Sequence, residues 1–319
     1  MKIVILDANT LGDDLDLGVF DTLGDVEVFG FTAPEVVVER IKDAHVIITN
    51  KVVLNESNLQ HAKHIELICL TATGTNNVDK VYTNSRGIVV SNVVGYSTDS
   101  VAQHTFALLF YLYEKLAYYD NYVKSGTYVG DEIFTHFDRK FHELVGKTWG
   151  IIGLGNIGRK VATIAEAFGC KVIYYSTSGK NNQQAYEQVD FDTLLMTSDI
   201  ISIHAPLNED TDGLINDEAF EKMKATAVLL NLGRGRIVVE DDLCKALNQN
   251  QIAGAGLDVL EYEPINEDNP LLGIQDSTKL LITPHIAWAS VEARKRVVDE
   301  VKENIASYKV GKPRNQVMK

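Results

Sequence analysis

The sequence predicts an α/β protein with two doubly wound parallel-sheet domains. Short runs rich in Val, Ile and Leu alternate with helical patterns along the whole chain, as they do in strand–helix–strand units. These runs are nearly continuously apolar, which is typical of parallel strands covered on both faces. One group of runs ends before about residue 100 and a second group begins near residue 149. We therefore infer two such domains.

The strands are predicted from these apolar runs. The first group is 2–7, 26–31, 45–49, 65–71 and 88–91. The second group is 149–153, 171–176, 200–204, 227–232, 255–259 and 279–283. Between strands, Thr32-Ala33-Pro34-Glu35 predicts the start of a helix, because a Thr cap, an early Pro and a Glu three positions later favour that start.

Two long helical patterns flank the second group of strands. One runs from Val101 to about Tyr122 and is a natural crossing between domains, and the other covers 290–309 and would return the chain to the first domain. The segment from Asp120 to Glu143 is rich in Tyr, Phe and charged residues. It is either an arm that packs on another subunit or a long surface loop.

Composition narrows the class of protein. The 319 residues carry a formal net charge of -14, and an acidic surface repels nucleic acid and anionic lipid, so we expect neither as a partner. No apolar run approaches the roughly 20 residues that span a bilayer, and the N-terminus lacks a signal-peptide pattern. Cys69, Cys170 and Cys244 form no C-x-x-C pair, so we expect no metal site, no disulfide and a cytoplasmic location.

The run Gly153-Leu154-Gly155-Asn156-Ile157-Gly158 is the G-x-G-x-x-G pattern between a predicted strand and a helix. Gly153 would permit the tight turn, Gly155 the approach of a pyrophosphate, and Gly158 the close packing of helix on strand. The helix N-terminus would present amides and a positive dipole to phosphate. A Rossmann-like dinucleotide site is predicted, against the alternative of a simple tight βα turn.

Ser176 stands where an NAD site usually carries an acid, about 20 residues after the glycines. The loop therefore has no carboxylate to repel a 2′-phosphate, and Ser176, Thr177, Ser178 and Lys180 could donate hydrogen bonds to one. It also has no Arg, and the hydroxyls could instead bind the ribose of NAD. The cofactor is predicted to be NAD(P)H, with a slight preference for NADP.

Three polar residues follow later strands in the order Arg234, Glu263, His285. Reduction of a 2-keto acid needs a cation for the carboxylate, and Arg offers a rigid two-pronged donor. It also needs a proton donor, for which His is suited, and a carboxylate beside the His favours its charged form and orients the ring. The alternatives are a surface ion pair for Arg234, a solvated acidic loop for Glu263 and a structural role for His285.

Together these segments resemble the D-isomer-specific 2-hydroxyacid dehydrogenase family over essentially the whole chain. The resemblance is carried by the mid-chain glycines, Asn-x-x-Arg-Gly at 231–235, Asp-Val-x-x-x-Glu-Pro at 258–264 and Thr-Pro-His at 283–285. It implies a flavodoxin-like substrate domain made of 1–98 and 287–319, with an NAD(P)-binding domain, 99–286, inserted in it. It also implies a homodimer formed through the nucleotide domain and the 120–143 segment.

The resemblance implies roles for individual residues. Arg234 would bind substrate, and Glu263 and His285 would be the acid–base pair. The implied cofactor contacts are Gly153, Gly155, Asn156, Ile157, Gly158, Ser176, Ala205, Pro206, Leu232, Gly233, Arg234, Asp258 and His285. The implied substrate contacts are Thr73, Gly74, Thr75, Arg234 and His285. Lys51 follows a predicted strand and either faces the substrate or is an ordinary exposed lysine.

Within the family, 96–105 and 285–289 resemble the glycerate dehydrogenase and hydroxypyruvate reductase branch. The implied reaction is reversible hydride transfer between NAD(P)H and a small 2-keto acid, hydroxypyruvate or glyoxylate. The alternatives are a D-lactate-type or phosphoglycerate-type dehydrogenase, or an NAD(H)-binding corepressor-like scaffold. A methyltransferase with a similar glycine loop would leave the Arg, Glu and His unexplained.

Overall fold

A five-stranded parallel sheet is the centre of the first of two units, Met1–Ser97 with Ala289–Lys319. The computed structural model describes residues 1–179 and 185–317. The strands are β1 (Lys2–Ile5), β2 (Asp25–Val28), β3 (Val46–Thr49), β4 (Leu67–Leu70) and β5 (Val89–Ser91). Their order, β2-β1-β3-β4-β5, is that of flavodoxin-like sheets. The helices of this unit are α1 (Val37–Ile41), α2 (Glu56–Leu59), α3 (Lys80–Ser85) and α10 (Val291–Lys309).

The second unit, Thr98–Trp288, contains a seven-stranded parallel sheet. Its strands are β6 (Thr148–Ile152), β7 (Lys171–Tyr175), β8 (Glu187–Gln188), β9 (Ile200–Ile203), β10 (Val228–Asn231), β11 (Gly254–Leu257) and β12 (Leu280–Ile282). The order β12-β11-β10-β9-β6-β7-β8 reverses direction between β6 and β9, so a topological switch point lies there. The helices are α4 (Thr98–Tyr113), α5 (Leu116–Lys124), α6 (Asn156–Ala167), α7 (Phe191–Thr197), α8 (Asp217–Lys222) and α9 (Glu240–Asn248).

The predicted fold class of two doubly wound parallel sheets is confirmed, and every predicted strand is present. Strand β8 was not predicted, because Glu187–Gln188 is short and polar. The sheet of the second unit is covered on both faces. Leu229 and Leu230, consecutive on β10, lie in two different buried clusters, as residues pointing to opposite faces must. Within the described ranges, no helix is both long and apolar enough to cross a membrane.

The predicted cap at Thr32 is wrong. Ala33 occupies the cap position of a 3-10 turn, Pro34–Val36, that leads into α1, and its side chain makes no capping bond. The Thr32 hydroxyl instead donates to the carbonyl oxygen of Leu6, far away in the sequence. A tertiary partner has replaced the local one.

The predicted single helix from Val101 to about Tyr122 is two helices, α4 and α5. Lys115 separates them in a left-handed conformation with φ 56°. Its ammonium donates to the carbonyl oxygen of Thr278 at 3.2 Å, and burial lowers the pKa of this lysine. The predicted helix over 290–309 is confirmed as α10, and Ser290 caps it by accepting from the Ala293 amide.

Candidate active site

The carboxyl ends of the second unit's strands lie along one edge of the sheet, because all the strands are parallel. The predicted site residues follow these ends in an order that matches the order of the strands. From one side to the other they are Ser176 after β7, Gly153 after β6, Ala205 after β9, Arg234 after β10, Asp258 after β11 and His285 after β12. This edge is where open α/β sheets bind ligands.

The glycine loop, 153–158, lies at the switch point, and the space around its three glycines differs from one position to the next. Gly153 has φ 91°, and a Cβ there would lie 2.7 Å from the amide nitrogen of Ala205. A Cβ on Gly158 would lie 2.4 Å from the carbonyl oxygen of Gly153, whereas a Cβ on Gly155 would meet nothing within 4 Å. No side chain caps α6, which begins at Asn156. The loop thus keeps open space and helix-start amides together, the arrangement that fits a pyrophosphate.

Two buried polar groups flank this loop without partners among the described residues. They are the Ser176 hydroxyl and both ring nitrogens of His204. Burial lowers the pKa of His204 to about 3, so the ring is neutral near pH 7 and has one donor and one acceptor nitrogen. Buried polar groups ordinarily have hydrogen-bond partners. A dinucleotide, with its hydroxyls, phosphates and amide, would supply them, so these residues fit that cofactor. Lys180 lies outside the described residues.

The turns after β9 and β10 pack closely on each other. A Cβ on Gly233 would lie 2.8 Å from the carbonyl oxygen of Ala205. Asn231, which is buried, fixes the second turn: its Oδ1 accepts from the Gly233 amide at 3.1 Å and its Nδ2 donates to the Arg234 carbonyl oxygen at 2.9 Å. Leu232 is buried and Pro206 is exposed. The predicted cofactor contacts after β9 and β10 therefore lie side by side.

Arg234 lies at the end of this turn with an exposed side chain. Its Nη1 donates to the carbonyl oxygen of Gly233 at 2.8 Å. No carboxylate in the described part of the chain forms an ion pair with it. A guanidinium held this way keeps donors for an external carboxylate.

Glu263 and His285 are in direct contact. Nδ1 of His285 lies 2.7 Å from Oε2 of Glu263, and the other oxygen, Oε1, accepts from the Leu260 amide at 3.0 Å. Both side chains are about one-third exposed, at 28% and 34%. His285 has φ 54°, a strained conformation for a residue with a Cβ. Its Nε2 has no partner among the described residues.

Asp258 supports the turn that carries His285. Its carboxylate is 2% exposed and accepts from the amides of Ile286 and Ala287, each at 2.9 Å. The Thr283 hydroxyl donates to it at 2.7 Å, and Nε2 of His104 lies 3.0 Å from that hydroxyl oxygen. Because the hydroxyl proton is directed at Asp258, His104 is the donor to Thr283. Asp258 thus fixes the backbone beside His285, and its contact with the cofactor stays a prediction.

The predicted substrate residues of the first unit follow β3 and β4. The buried carboxylate of Asp7 accepts from the Lys51 amide at 2.7 Å, while the Lys51 side chain is exposed. Thr73 Oγ1 donates to the Val93 carbonyl oxygen at 2.8 Å. The amides of Thr73, Gly74 and Thr75 bond to no other described residue, so the loop has amides to offer an anion.

Three polar side chains that follow these strands or contact residues that follow them were not predicted individually: His104, His204 and Glu240. His204 is the last residue of the predicted strand 200–204, which was a usable signal. His104 lies on α4, and Glu240 begins α9, after the turn that carries Arg234. No local pattern separates these two from ordinary surface polar residues, and only their tertiary partners do so.

Comparison with known proteins agrees with this arrangement. Residues 106–287 match the model of the D-isomer specific 2-hydroxyacid dehydrogenase NAD binding domain. The chain is 39% identical to a hydroxypyruvate reductase of Blautia hydrogenotrophica, over the whole of both proteins. It is 36% identical to a glycerate dehydrogenase of Methylorubrum extorquens, covering 99% of this chain and 98% of that one.

Among the solved structures that match this chain over its whole length is a reductase with bound cofactor. It is an acyclic imino acid reductase in complex with NADPH and D-Arg, with 34% sequence identity, a TM-score of 0.88 and full coverage of both chains. The matched residues 106–287 fall inside the second unit, which is therefore an NAD-binding domain.

Proposed function

Since the chain belongs to the D-isomer-specific 2-hydroxyacid dehydrogenase family of oxidoreductases, we propose that it reduces hydroxypyruvate or glyoxylate with NAD(P)H. The products are D-glycerate and glycolate, and the reaction is reversible. The observation that carries the proposal is the Glu263–His285 contact of 2.7 Å at the sheet edge that also holds Arg234 and the glycine loop. The relatives that are 39% and 36% identical to this chain are named a hydroxypyruvate reductase and a glycerate dehydrogenase.

The residues divide the chemistry between them. Reduced nicotinamide, when bound, supplies the hydride. Arg234 binds the carboxylate of the keto acid through its guanidinium and so orients the carbonyl. His285 donates a proton from Nε2 to the carbonyl oxygen as negative charge develops there. Glu263 holds Nδ1 and stabilises the charged ring before transfer.

Residues of the first unit are proposed to contribute to substrate binding. The amides of Thr73, Gly74 and Thr75, which bond to no other described residue, are suited to bind a carboxylate. Backbone N–H groups can bind an anion without the loss of side-chain conformational entropy. The exposed ammonium of Lys51 would add positive charge. Replacing Lys51 by Ala should raise the KM for hydroxypyruvate, and an unchanged KM would remove it from the substrate site.

The cofactor preference is proposed to be slightly in favour of NADPH. Ser176 is 8% exposed, its hydroxyl is unpartnered among the described residues, and its position carries no carboxylate to repel a 2′-phosphate. The similar imino acid reductase was solved with NADPH. A large preference for NADH in steady-state kinetics would contradict this part of the proposal.

Reduction of a C=N bond is a second candidate, supported by the 34% identity to the imino acid reductase. The same Arg, His and Glu would serve, because an imino acid carries the same carboxylate and takes up hydride at the same carbon. Ammonium added to a keto acid forms the imine in solution. A rate that rises steeply with ammonium would favour this candidate over ketone reduction.

The deciding experiment is a panel of hydroxypyruvate, glyoxylate, pyruvate and 3-phosphohydroxypyruvate, each assayed with NADH and NADPH. We expect the highest kcat/KM for hydroxypyruvate or glyoxylate. Highest activity on pyruvate or 3-phosphohydroxypyruvate would assign the chain to the lactate-type or phosphoglycerate-type branch. Binding of the cofactor without reduction of any acid would favour the corepressor-like scaffold instead.

A homodimer in the cytoplasm is proposed as the working state. The predicted arm, segment 120–143, is largely exposed from residue 125 onward and holds several large apolar side chains in contact with solvent, with 58% exposure at Ile133, 90% at Phe134 and 73% at Phe137. Exposed apolar patches of this kind mark protein interfaces. All three cysteines are unpaired thiols, which suits a reducing compartment.

A further inference from the structure

Glu240 is a buried carboxylate at the first position of α9. It is only 8% exposed and forms no ion pair with a cation among the described residues. One oxygen accepts from the Glu261 amide at 2.7 Å and the other from Nδ2 of Asn269 at 2.6 Å. Burying a carboxylate is costly unless its charge is stabilised, and here the helix start supplies part of that stabilisation.

Both hydrogen-bond partners of Glu240, Glu261 and Asn269, belong to the segment 261–269, which also contains Glu263. The amide of Glu261 is adjacent to Leu260, whose own amide donates to Glu263 Oε1 at 3.0 Å. Gly235 packs on the same peptide from another side, since a Cβ there would lie 1.8 Å from the carbonyl carbon of Leu260. The turn 260–263 is therefore held on one side by a carboxylate and on another by backbone contact.

The two members of the Glu263–His285 pair are supported in the same way. Asp258, 2% exposed, accepts two amides of the turn that holds His285. Glu240 accepts one amide of the turn that holds Glu263. Each turn thus has a buried carboxylate behind it that takes no part in the His–Glu contact itself.

We propose that Glu240 is a positioning residue for the reaction: it fixes the 260–263 turn so that the Glu263 carboxylate meets Nδ1 of His285. The inference rests on the proposed reductase function. Displacement of a catalytic group by about 1 Å can cost roughly a hundredfold in rate, so support at this distance is consequential.

The test compares Glu240→Gln and Glu240→Ala with Asp242→Asn. Gln keeps the size of the side chain but replaces one carboxylate oxygen by an NH2 group, which then faces another hydrogen-bond donor. Ala removes both hydrogen bonds that Glu240 accepts. Asp242 is the matched control, because its carboxylate on the same helix also accepts a backbone amide, that of Asp217 at 2.9 Å. That bond fixes the start of α8, where Asp217 is also paired with Lys245, and not the 260–263 turn.

The readouts are kcat for hydroxypyruvate with NADPH, the pH profile of kcat, and Tm. We expect both Glu240 variants to lose roughly ten- to a hundredfold in kcat. We also expect the alkaline limb of their pH profile to move to lower pH, because the displaced Glu263 carboxylate no longer lies against Nδ1 of the His285 ring. Asp242→Asn should keep wild-type kcat and the wild-type pH limb.

A purely structural role would lower Tm without moving the pH limb, and that result would overturn the inference. Wild-type kcat in both Glu240 variants would overturn it as well. If Glu240→Ala does not fold, Glu240→Gln decides alone. Wild-type protein that reduces no 2-keto acid would defeat the proposed function, and the inference with it. If the wild type is active and the Glu240 variants have the same kcat as the wild type, only the inference is defeated.

Discussion

Glu263 Oε2 lies 2.7 Å from Nδ1 of His285, although 22 positions separate the two residues. An ionised carboxylate only accepts hydrogen bonds, so the ring must donate from Nδ1 and present Nε2 on its other side. The left-handed φ of 54° at His285 is part of how the chain aims the ring. The contact fixes at once the tautomer, the orientation and the charge preference of the ring.

Replacing His285 by Ala should remove the proton donor. We expect kcat for hydroxypyruvate to fall roughly 10²- to 10⁴-fold, which is the usual contribution of general acid catalysis. Binding of NADPH, followed by nicotinamide fluorescence, should be largely retained. His61→Ala, at an exposed histidine of the first unit, is the control. Comparable turnover in the His285 variant would rule out this donor.

Glu263→Gln should change the pH dependence of reduction. Reduction requires the protonated ring, which the Glu263 carboxylate stabilises, and a neutral Gln does not. The alkaline limb of the kcat profile should therefore shift to lower pH. Glu261→Gln, at an exposed neighbour, should leave the profile unchanged. An identical profile for Glu263→Gln would count against the pair.

Alanine at two of the glycines should separate stability from cofactor binding. At Gly155 a Cβ meets nothing within 4 Å, so Tm should hold while NADPH affinity falls, because the methyl group occupies space proposed for pyrophosphate. At Gly158 a Cβ would lie 2.4 Å from the Gly153 carbonyl oxygen, so the free energy of unfolding should fall as well, by about 1–3 kcal/mol, and Tm should fall with it. Unaltered NADPH binding by Gly155→Ala would place the cofactor elsewhere.

His204 should make the protein sensitive to acid. Burial lowers the pKa of this ring from 6.5 to about 3 in the folded state. Between those values the unfolded chain binds a proton that the folded chain does not, so unfolding free energy declines as pH falls through this window. Between about pH 7 and pH 4.5, the free energy of unfolding of His204→Gln should decrease less than that of the wild type. The exposed control His61→Gln should follow wild type, and a His204 variant that does the same would refute the claim.

Phe134→Asp should weaken the proposed dimer. Phe134 is 90% exposed in the 120–143 segment, and a carboxylate there would have to be desolvated in an interface. We expect the mass measured by light scattering to fall toward that of one chain. Phe31→Asp is the matched control, because Phe31 is 71% exposed but lies in the first unit. A wild-type protein that is already monomeric would end the proposal.

Local pattern predicted the strands because a strand buried on both faces must be apolar throughout. The same reasoning failed where a distant partner decided the outcome. The Thr32 hydroxyl bonds to Leu6 rather than to its own helix, and Lys115 reaches Thr278 and ends α4. Neither partner is near in sequence, so no window of neighbouring residues contains the information.

The apolar runs were enough to predict which residues follow the strand ends, because each run ends where polar residues begin. Arg234, Glu263 and His285 were identified on that basis and by family resemblance. Which of these residues touch depends on the order of strands in the sheet, because β11 lies beside β12 and so brings Glu263 into contact with His285. The hydrogen bond between Glu240 and the Glu263 turn also became visible only in the structure. Neither the burial of Glu240 nor its backbone-amide partner can be recognised from the pattern of side chains along the chain.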